Sequence, residues 1–255
     1  MVARMRDALY IGILAGMKRR FVAKPLKLVI FDCDGTLVDS QHMIVSAMTQ
    51  AYGAHGIPLP ERETLLSVIG LSLGEAFTKL GNGATNFPAE SLAAHYRDAF
   101  HAMRRPGAPV EPLYPGAAEA IAALALRDDV SLGIATGKSQ RGVRMVLGHH
   151  GLLEHFITIK TADDAPSKPD PGMVMHAMRE AGVEPTDTVV VGDTVYDITM
   201  ARAAGAAAIG VAWGYHRAAA LTESGACAVI HDFAELVPTL EEIWTVMHRS
   251  RQVWP

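Results

Sequence analysis

Residues 27–40 read KLVIFDCDGTLVDS. Lys27 to Phe31 is a short apolar run rich in β-branched and aromatic types, the pattern of a buried strand. It gives way to two carboxylates, Asp32 and Asp34, with Gly35 and Thr36 directly behind them. A buried strand that ends by presenting two acids raises the question of what gathers around them.

Beyond residue 26 the pattern alternates. Apolar runs recur over residues 26–33, 130–135, 156–159, 188–191 and 207–211, with a weaker one over 227–230. Helical stretches fill most of the gaps, over residues 116–126, 140–148, 172–181 and 195–204. Such alternation predicts a doubly wound, Rossmann-like parallel sheet with helices on both faces. Ligands in folds of this kind sit beyond the carboxyl ends of the strands, at the topological switch point. One block departs from the pattern. Between Ser40 and Glu111 there is no convincing strand, while Ile44, Met48, Ala51 and Tyr52 form a helical stripe. Similar stripes follow over residues 73–80 and 89–103, punctuated by Pro58, Pro60 and Pro88. The expected organisation is therefore an α/β core from residues 26–39 and 112–255, carrying an inserted all-helical cap over residues 40–111.

The bulk numbers suit this. The chain has 255 residues, 49% hydrophobic and 20% charged, enough for a sizeable core. A net charge of −4 argues against nucleic acid as the main partner. Two cysteines, Cys33 and Cys227, are too few for a disulfide framework and fit a reducing compartment. Cys33, between the two acids, reads as a small side chain packed under the strand. The first 25 residues carry basic residues and a short apolar run, well below the roughly 20 apolar residues of a membrane span. Without a clear small-residue cleavage site they read as a poorly ordered leader. A cytoplasmic protein with no membrane or nucleic-acid partner, monomeric or homodimeric, is expected.

Three further strand ends carry the same punctuation. LGIATGKS (132–139) ends its strand at Thr136, and VVVGDTVYD (189–197) ends with Gly192 and Asp193, followed by Asp197 in the first helical turn. APSKPDP (165–171) offers Lys168 in a proline-bracketed loop. In a parallel sheet these ends point the same way, so Asp32, Asp34, Thr136, Lys168, Asp193 and Asp197 can converge. Clustered carboxylates repel one another unless a cation sits among them, and hard oxygen donors suit Mg²⁺. A metal, a lysine and hydrogen-bond donors are the parts that phosphoryl transfer uses. An aspartate can be the nucleophile, and a second carboxyl can protonate the leaving oxygen and then activate water.

DCDGTLVDS, ATGKS, SKPDP and GDTVYD together resemble the four motifs of the haloacid dehalogenase-like hydrolase superfamily, in order and at fitting distances. The resemblance covers residues 26–235. ATGKSQRG, TADDAPSKPDP and GVAWGYH are similar to the phosphoglycolate phosphatase-like subgroup with a helical cap. The resemblance implies that Asp32 is the nucleophile and Asp34 the general acid/base. It implies Mg²⁺ held by Asp32, the Asp34 backbone carbonyl and Asp193, with Asp197 orienting Lys168 or a metal-bound water. Thr136 and Lys168 would hold the transferring phosphoryl group, helped by Gly35, Thr36 and Gly137 around the phosphate. An acid at position 34 points to phosphate chemistry, since the name-giving dehalogenases lack one there. In the cap, VIGLSLGEAF (68–77) is the expected specificity loop, with Gly70, Leu71 and Ser72 facing the acids. The implied activity is a Mg²⁺-dependent phosphatase of small phosphorylated metabolites, with 2-phosphoglycolate the best single candidate.

Several residues also have plainer readings. Asp39 and Ser40 read as helix caps, and Trp213 and Tyr215 as wall. His42, His149, His150 and His216 show no metal-ligand spacing. Lys138 and Arg141 flank the mouth, either gripping an anionic substrate or lying on a solvated face. Sugar-phosphate mutases of the superfamily generally carry an arginine near Leu71 and Leu73, absent here. That absence argues against the rival enzyme reading, a β-phosphoglucomutase-like isomerase. A phospho-receiver domain is a more distant rival, lacking the second acid and the insert.

Overall fold

A computed structural model describes residues 26–104 and 110–252. The leader expected over residues 1–25 lies outside the described residues. In chain order the elements are β1 (Lys27–Phe31), α1 (Gln41–His55), α2 (Arg62–Leu66), α3 (Leu73–Leu80), α4 (Ala89–Met103) and α5 (Ala117–Ala125). They continue with β2 (Val130–Thr136), α6 (Gln140–His149), β3 (Phe156–Thr161), α7 (Gly172–Ala181), β4 (Thr188–Gly192) and α8 (Val195–Ala203). β5 (Ala207–Val211), α9 (Ala218–Glu223), β6 (Ala228–Ile230) and α10 (Leu236–Gln252) complete the chain.

The described strands form one parallel sheet in the order β3-β2-β1-β4-β5-β6. Every residue of β1 is buried, as a central strand covered on both faces requires. Its alternate side chains feed two cores. Val29 and Phe31 join Leu132, Ile134, Val189 and Val191 on one face, packed against α5, α6 and α10. Leu28 and Ile30 join Val190 and Ala208 on the other, beneath α7, α8 and α9. The chain runs from β1 out to β2 on one side, while β4 pairs with β1 on the other. That reversal is the switch point, and it lies at the ends of β1 and β4.

Helices α1 to α4 bury a third cluster of their own, including Ile44, Met48, Tyr52, Phe77, Leu92 and Phe100. The chain leaves the core and returns to it side by side. Val38 bridges Leu113, and the Asp39 N–H donates to the Pro112 carbonyl at 2.8 Å. Two adjacent crossings let a self-packed helical unit sit over the switch point. No helix among the described residues is long and apolar enough to cross a membrane.

Candidate active site

Asp32 follows directly on β1 and is 1% exposed. Its Oδ1 accepts from the Cys33 N–H at 2.7 Å. Its Oδ2 lies 2.9 Å from Lys168 Nζ as an ion pair, yet receives no hydrogen bond of good geometry among the described residues. Lys168, in the loop after β3, donates to Asp197 Oδ1 at 2.6 Å. Burial opposes charge on Lys168, but Asp197 and Asp32 outweigh it and raise its pKa. The ammonium stays protonated.

Asp197 has a second task. Thr194 is the N-cap of α8, and its N–H and hydroxyl both donate to Asp197 Oδ2, at 3.0 and 2.6 Å. This capping box fixes the carboxylate that fixes the lysine. Asp193, at the end of β4, accepts from the Thr36 hydroxyl at 2.9 Å and from the Tyr215 N–H at 2.9 Å. Gly35 adopts φ +87°, and a Cβ there would lie 2.3 Å from Asp193 Oδ2. Only glycine fits that turn.

One oxygen from each of Asp32, Asp193 and Asp197 lies within 4.8 Å of the others. All three residues are buried. Burial first, then Lys168 and the hydrogen bond from Thr136 pulling down against Asp197 pushing up, leave Asp32 raised to about 6. Burial and the charges of Asp197 and Asp32 raise Asp193 well above the carboxylate range. Crowded, dehydrated carboxylates in this state fit a hard divalent cation. Asp32 Oδ2, with only an ion-pair contact, is the oxygen of this group left open to such a cation, and Asp193 and Asp197 complete the group.

Asp34 sits apart from this cluster. Its Oδ1 accepts from Lys138 Nζ at 2.6 Å and from the Ser40 hydroxyl. Burial works to raise it, but Lys138, Ser40 and Arg104 hold its carboxyl below the ordinary range. Lys138 also lies 3.6 Å from Glu111, which pairs with Arg104. Lys138 is thus a buried partner of Asp34 and not a solvated residue; Arg141 stays exposed on the rim. Ser40 precedes α1 but makes no side-chain cap, because its hydroxyl is spent on Asp34. Asp39 takes the local role, its Oδ1 accepting from the Gln41 N–H at 3.3 Å. Glu111 and Arg104 were not singled out from the sequence; nothing in their local pattern marks them.

Thr136 ends β2, and its hydroxyl accepts from the Lys138 N–H at 3.3 Å. Thr136 and Gly137 line a cavity of about 150 Å³ together with Asp32, Asp34, Gly70 and Leu71. Ser72 is not on its wall; its N–H donates to Ser167 Oγ at 2.8 Å, docking the loop on the core. Trp213 Nε1 donates to the Thr36 carbonyl at 3.0 Å, so the wall residues brace the turn beneath the acids. His216 Nδ1 accepts from the Val195 N–H at 3.1 Å.

Residues 29–211 match the family model described as haloacid dehalogenase-like hydrolase. A probable phosphatase, IndB, of Dickeya dadantii is 35% identical, over 82% of this chain and 91% of that one. The tyrosine-protein kinase PtkA of Mycobacterium tuberculosis is 32% identical, over 80% and 68%. A phosphoglycolate phosphatase of Vibrio vulnificus is 30% identical, over 83% and 95%. The chain belongs to the haloacid dehalogenase-like hydrolase family and is an enzyme of its phosphatase branch.

Proposed function

We propose that this chain is a cytoplasmic, Mg²⁺-dependent phosphatase that hydrolyses small phosphate monoesters through an aspartyl-phosphate on Asp32. The observation that carries this reading is the separation of the two acids. Asp32 faces Lys168 and the carboxylate cluster, while Asp34 faces Lys138 and the cap. Asp32 and Asp193, with the Asp34 carbonyl, would hold the Mg²⁺. When bound, the ion supplies positive charge against the phosphoryl oxygens and the crowded carboxylates.

In the first half-reaction the Asp32 carboxylate attacks phosphorus. The bond from phosphorus to the alcohol oxygen breaks, and the alcohol leaves with a proton from Asp34. Lys168 and Thr136 offer donors to the charge spread over the transferring group, and Asp197 keeps Lys168 aimed. In the second half-reaction Asp34 takes a proton from water, which attacks phosphorus and frees Asp32 and phosphate. The observed pairing with Lys138 holds Asp34 ionised, the form the second half-reaction needs. For the first it must gain a proton, which a monoester arriving as its monoanion can bring, the second phosphate pKa being about 6.

2-Phosphoglycolate is the reference substrate, because a relative similar over most of its length carries that name. The test is phosphate release from 2-phosphoglycolate, sugar phosphates, nucleotides and pyrophosphate, with Mg²⁺ and then with excess chelator. Turnover of at least one ester that chelation abolishes and Mg²⁺ restores is the expected result; Ca²⁺ should substitute poorly, because it prefers more ligands at longer distances. Unchanged turnover in excess chelator would remove the metal from the account.

A further inference from the structure

We propose that the cavity between the cap and the core receives the substrate's leaving group, and that this group has an apolar body about the size of a benzene ring. The inference rests on the phosphatase reading and names the class of ester. The cavity begins at Asp32 and Asp34, so an alcohol oxygen placed to receive a proton from Asp34 directs its carbon substituent into the cap. Ile44, Met48, Val68, Ala76 and Phe100 make apolar walls there, each at most 7% exposed. The volume is about 150 Å³. A cavity of that size has room for a benzene molecule.

The charges nearby do not call for a second anionic group. Lys138 is spent on Asp34, and Arg104 is spent on Glu111 while lying over the Phe100 ring at 4.5 Å. Both cations are thus neutralised before any ligand enters. Arg104 Nε is the exception, buried and without a hydrogen-bond partner among the described residues. One N–H can serve a single acceptor on an otherwise apolar group. A sugar, or the carboxylate of glycolate, would lose hydrogen bonds to water that these walls do not replace. Arg97, His101 and Arg141 also line the cavity but are exposed to water, which screens their charge toward any ligand.

The test compares benzyl phosphate with 2-phosphoglycolate. Both esters release an aliphatic alcohol protonated by Asp34, so leaving-group basicity does not decide the outcome. With Mg²⁺, kcat/KM for benzyl phosphate should exceed that for 2-phosphoglycolate roughly tenfold or more. Ala76→Leu fills the cavity and should lower the benzyl-to-glycolate ratio by about tenfold. Met48→Ala enlarges it and should move the preference toward 1-naphthylmethyl phosphate. Benzylphosphonate and methylphosphonate, titrated calorimetrically with Mg²⁺, read the same preference without turnover. Release of phosphate from no ester would remove the phosphatase reading, and the phosphonate affinities would then decide the cavity alone. A preference for 2-phosphoglycolate would overturn the proposal and leave the phosphatase reading intact. A benzyl-to-glycolate ratio unmoved by both variants would overturn it equally.

Discussion

Asp32 and Asp34 are near neighbours in the chain, yet their surroundings push them in opposite directions. Asp32 is raised by burial against the pull of Lys168, whereas Asp34 is held down by Lys138 and Ser40. Lys168 is the counter-charge on the Asp32 side, with no exposed surface on its side chain. Lys168→Met leaves two buried carboxylates uncompensated. We expect a loss of about 3–5 kcal/mol in urea unfolding and a fall in kcat on the order of 10²–10³-fold. Stability within about 0.5 kcal/mol of the parent, a typical neutral surface effect, would mean the ion pairs are slack. Cys33, between the two acids, gives a simpler test. It is fully buried, and burial together with Asp34 raises its thiol well above the usual range. Iodoacetamide should therefore label exposed Cys227 in the native protein and reach Cys33 only on unfolding. Comparable labelling of both thiols in native buffer would contradict the packing.

At the scale of elements, the start of β1 is tied to α10 through a charged cluster away from the site. Lys27 Nζ donates to Asp129 Oδ2 at 3.2 Å, and Arg127 binds the same carboxylate at 3.1 and 3.2 Å. Trp244 of α10 lies beneath both cations, at 4.4 and 5.5 Å. Hydrogen bonding from Arg127, and then from Lys27, outweighs burial and holds the Asp129 carboxyl down to about 2. A depressed carboxyl contributes stability that is complete above its unfolded value of ~3.9 and is lost as pH falls through the folded value. Asp129→Asn should therefore destabilise the protein at pH 7, with the gap to the parent closing as pH approaches 2. Denaturant titrations across that window decide it; a constant gap would point to packing in place of charge. The sequence marks such elements well where a local pattern exists. Apolar runs locate β1 to β5, and Asp197 falls in the first turn of α8 as its helical stretch predicts. It marks the pairing of Asp34 poorly. Ser40, Arg104, Glu111 and Lys138 come from four segments, and only the docking of the cap brings them together.

At the scale of the whole molecule, the helical unit is seated on the α/β core by specific contacts. Ser72 docks on Ser167, and the Tyr196 hydroxyl donates to the Ser67 carbonyl at 2.8 Å while accepting from Lys79 at 2.7 Å. Gly137 leaves no room at the seam, since a Cβ there would lie 2.6 Å from the Gly70 and Leu71 carbonyls. Gly137→Ala should push the cap loop away and lower kcat/KM on the order of tenfold to a hundredfold. An unchanged rate in that variant would show that the loop does not stay seated during turnover. The insert was legible as helices from its apolar period, but its fit on Gly137 was not, because a glycine's contacts are invisible in one sequence. The central claim is that Asp32 carries the phosphoryl group while Asp34 moves protons. Its most direct test is rapid quenching of Asp34→Asn with p-nitrophenyl phosphate and Mg²⁺, followed by mass spectrometry. That leaving group needs little protonation, so the first half-reaction should proceed and the second should slow about 10²–10⁴-fold. The account predicts a gain of one phosphoryl group on Asp32, removed by hydroxylamine and absent from Asp32→Asn. Normal turnover by Asp34→Asn, or phosphoenzyme still accumulating in Asp32→Asn, would contradict it.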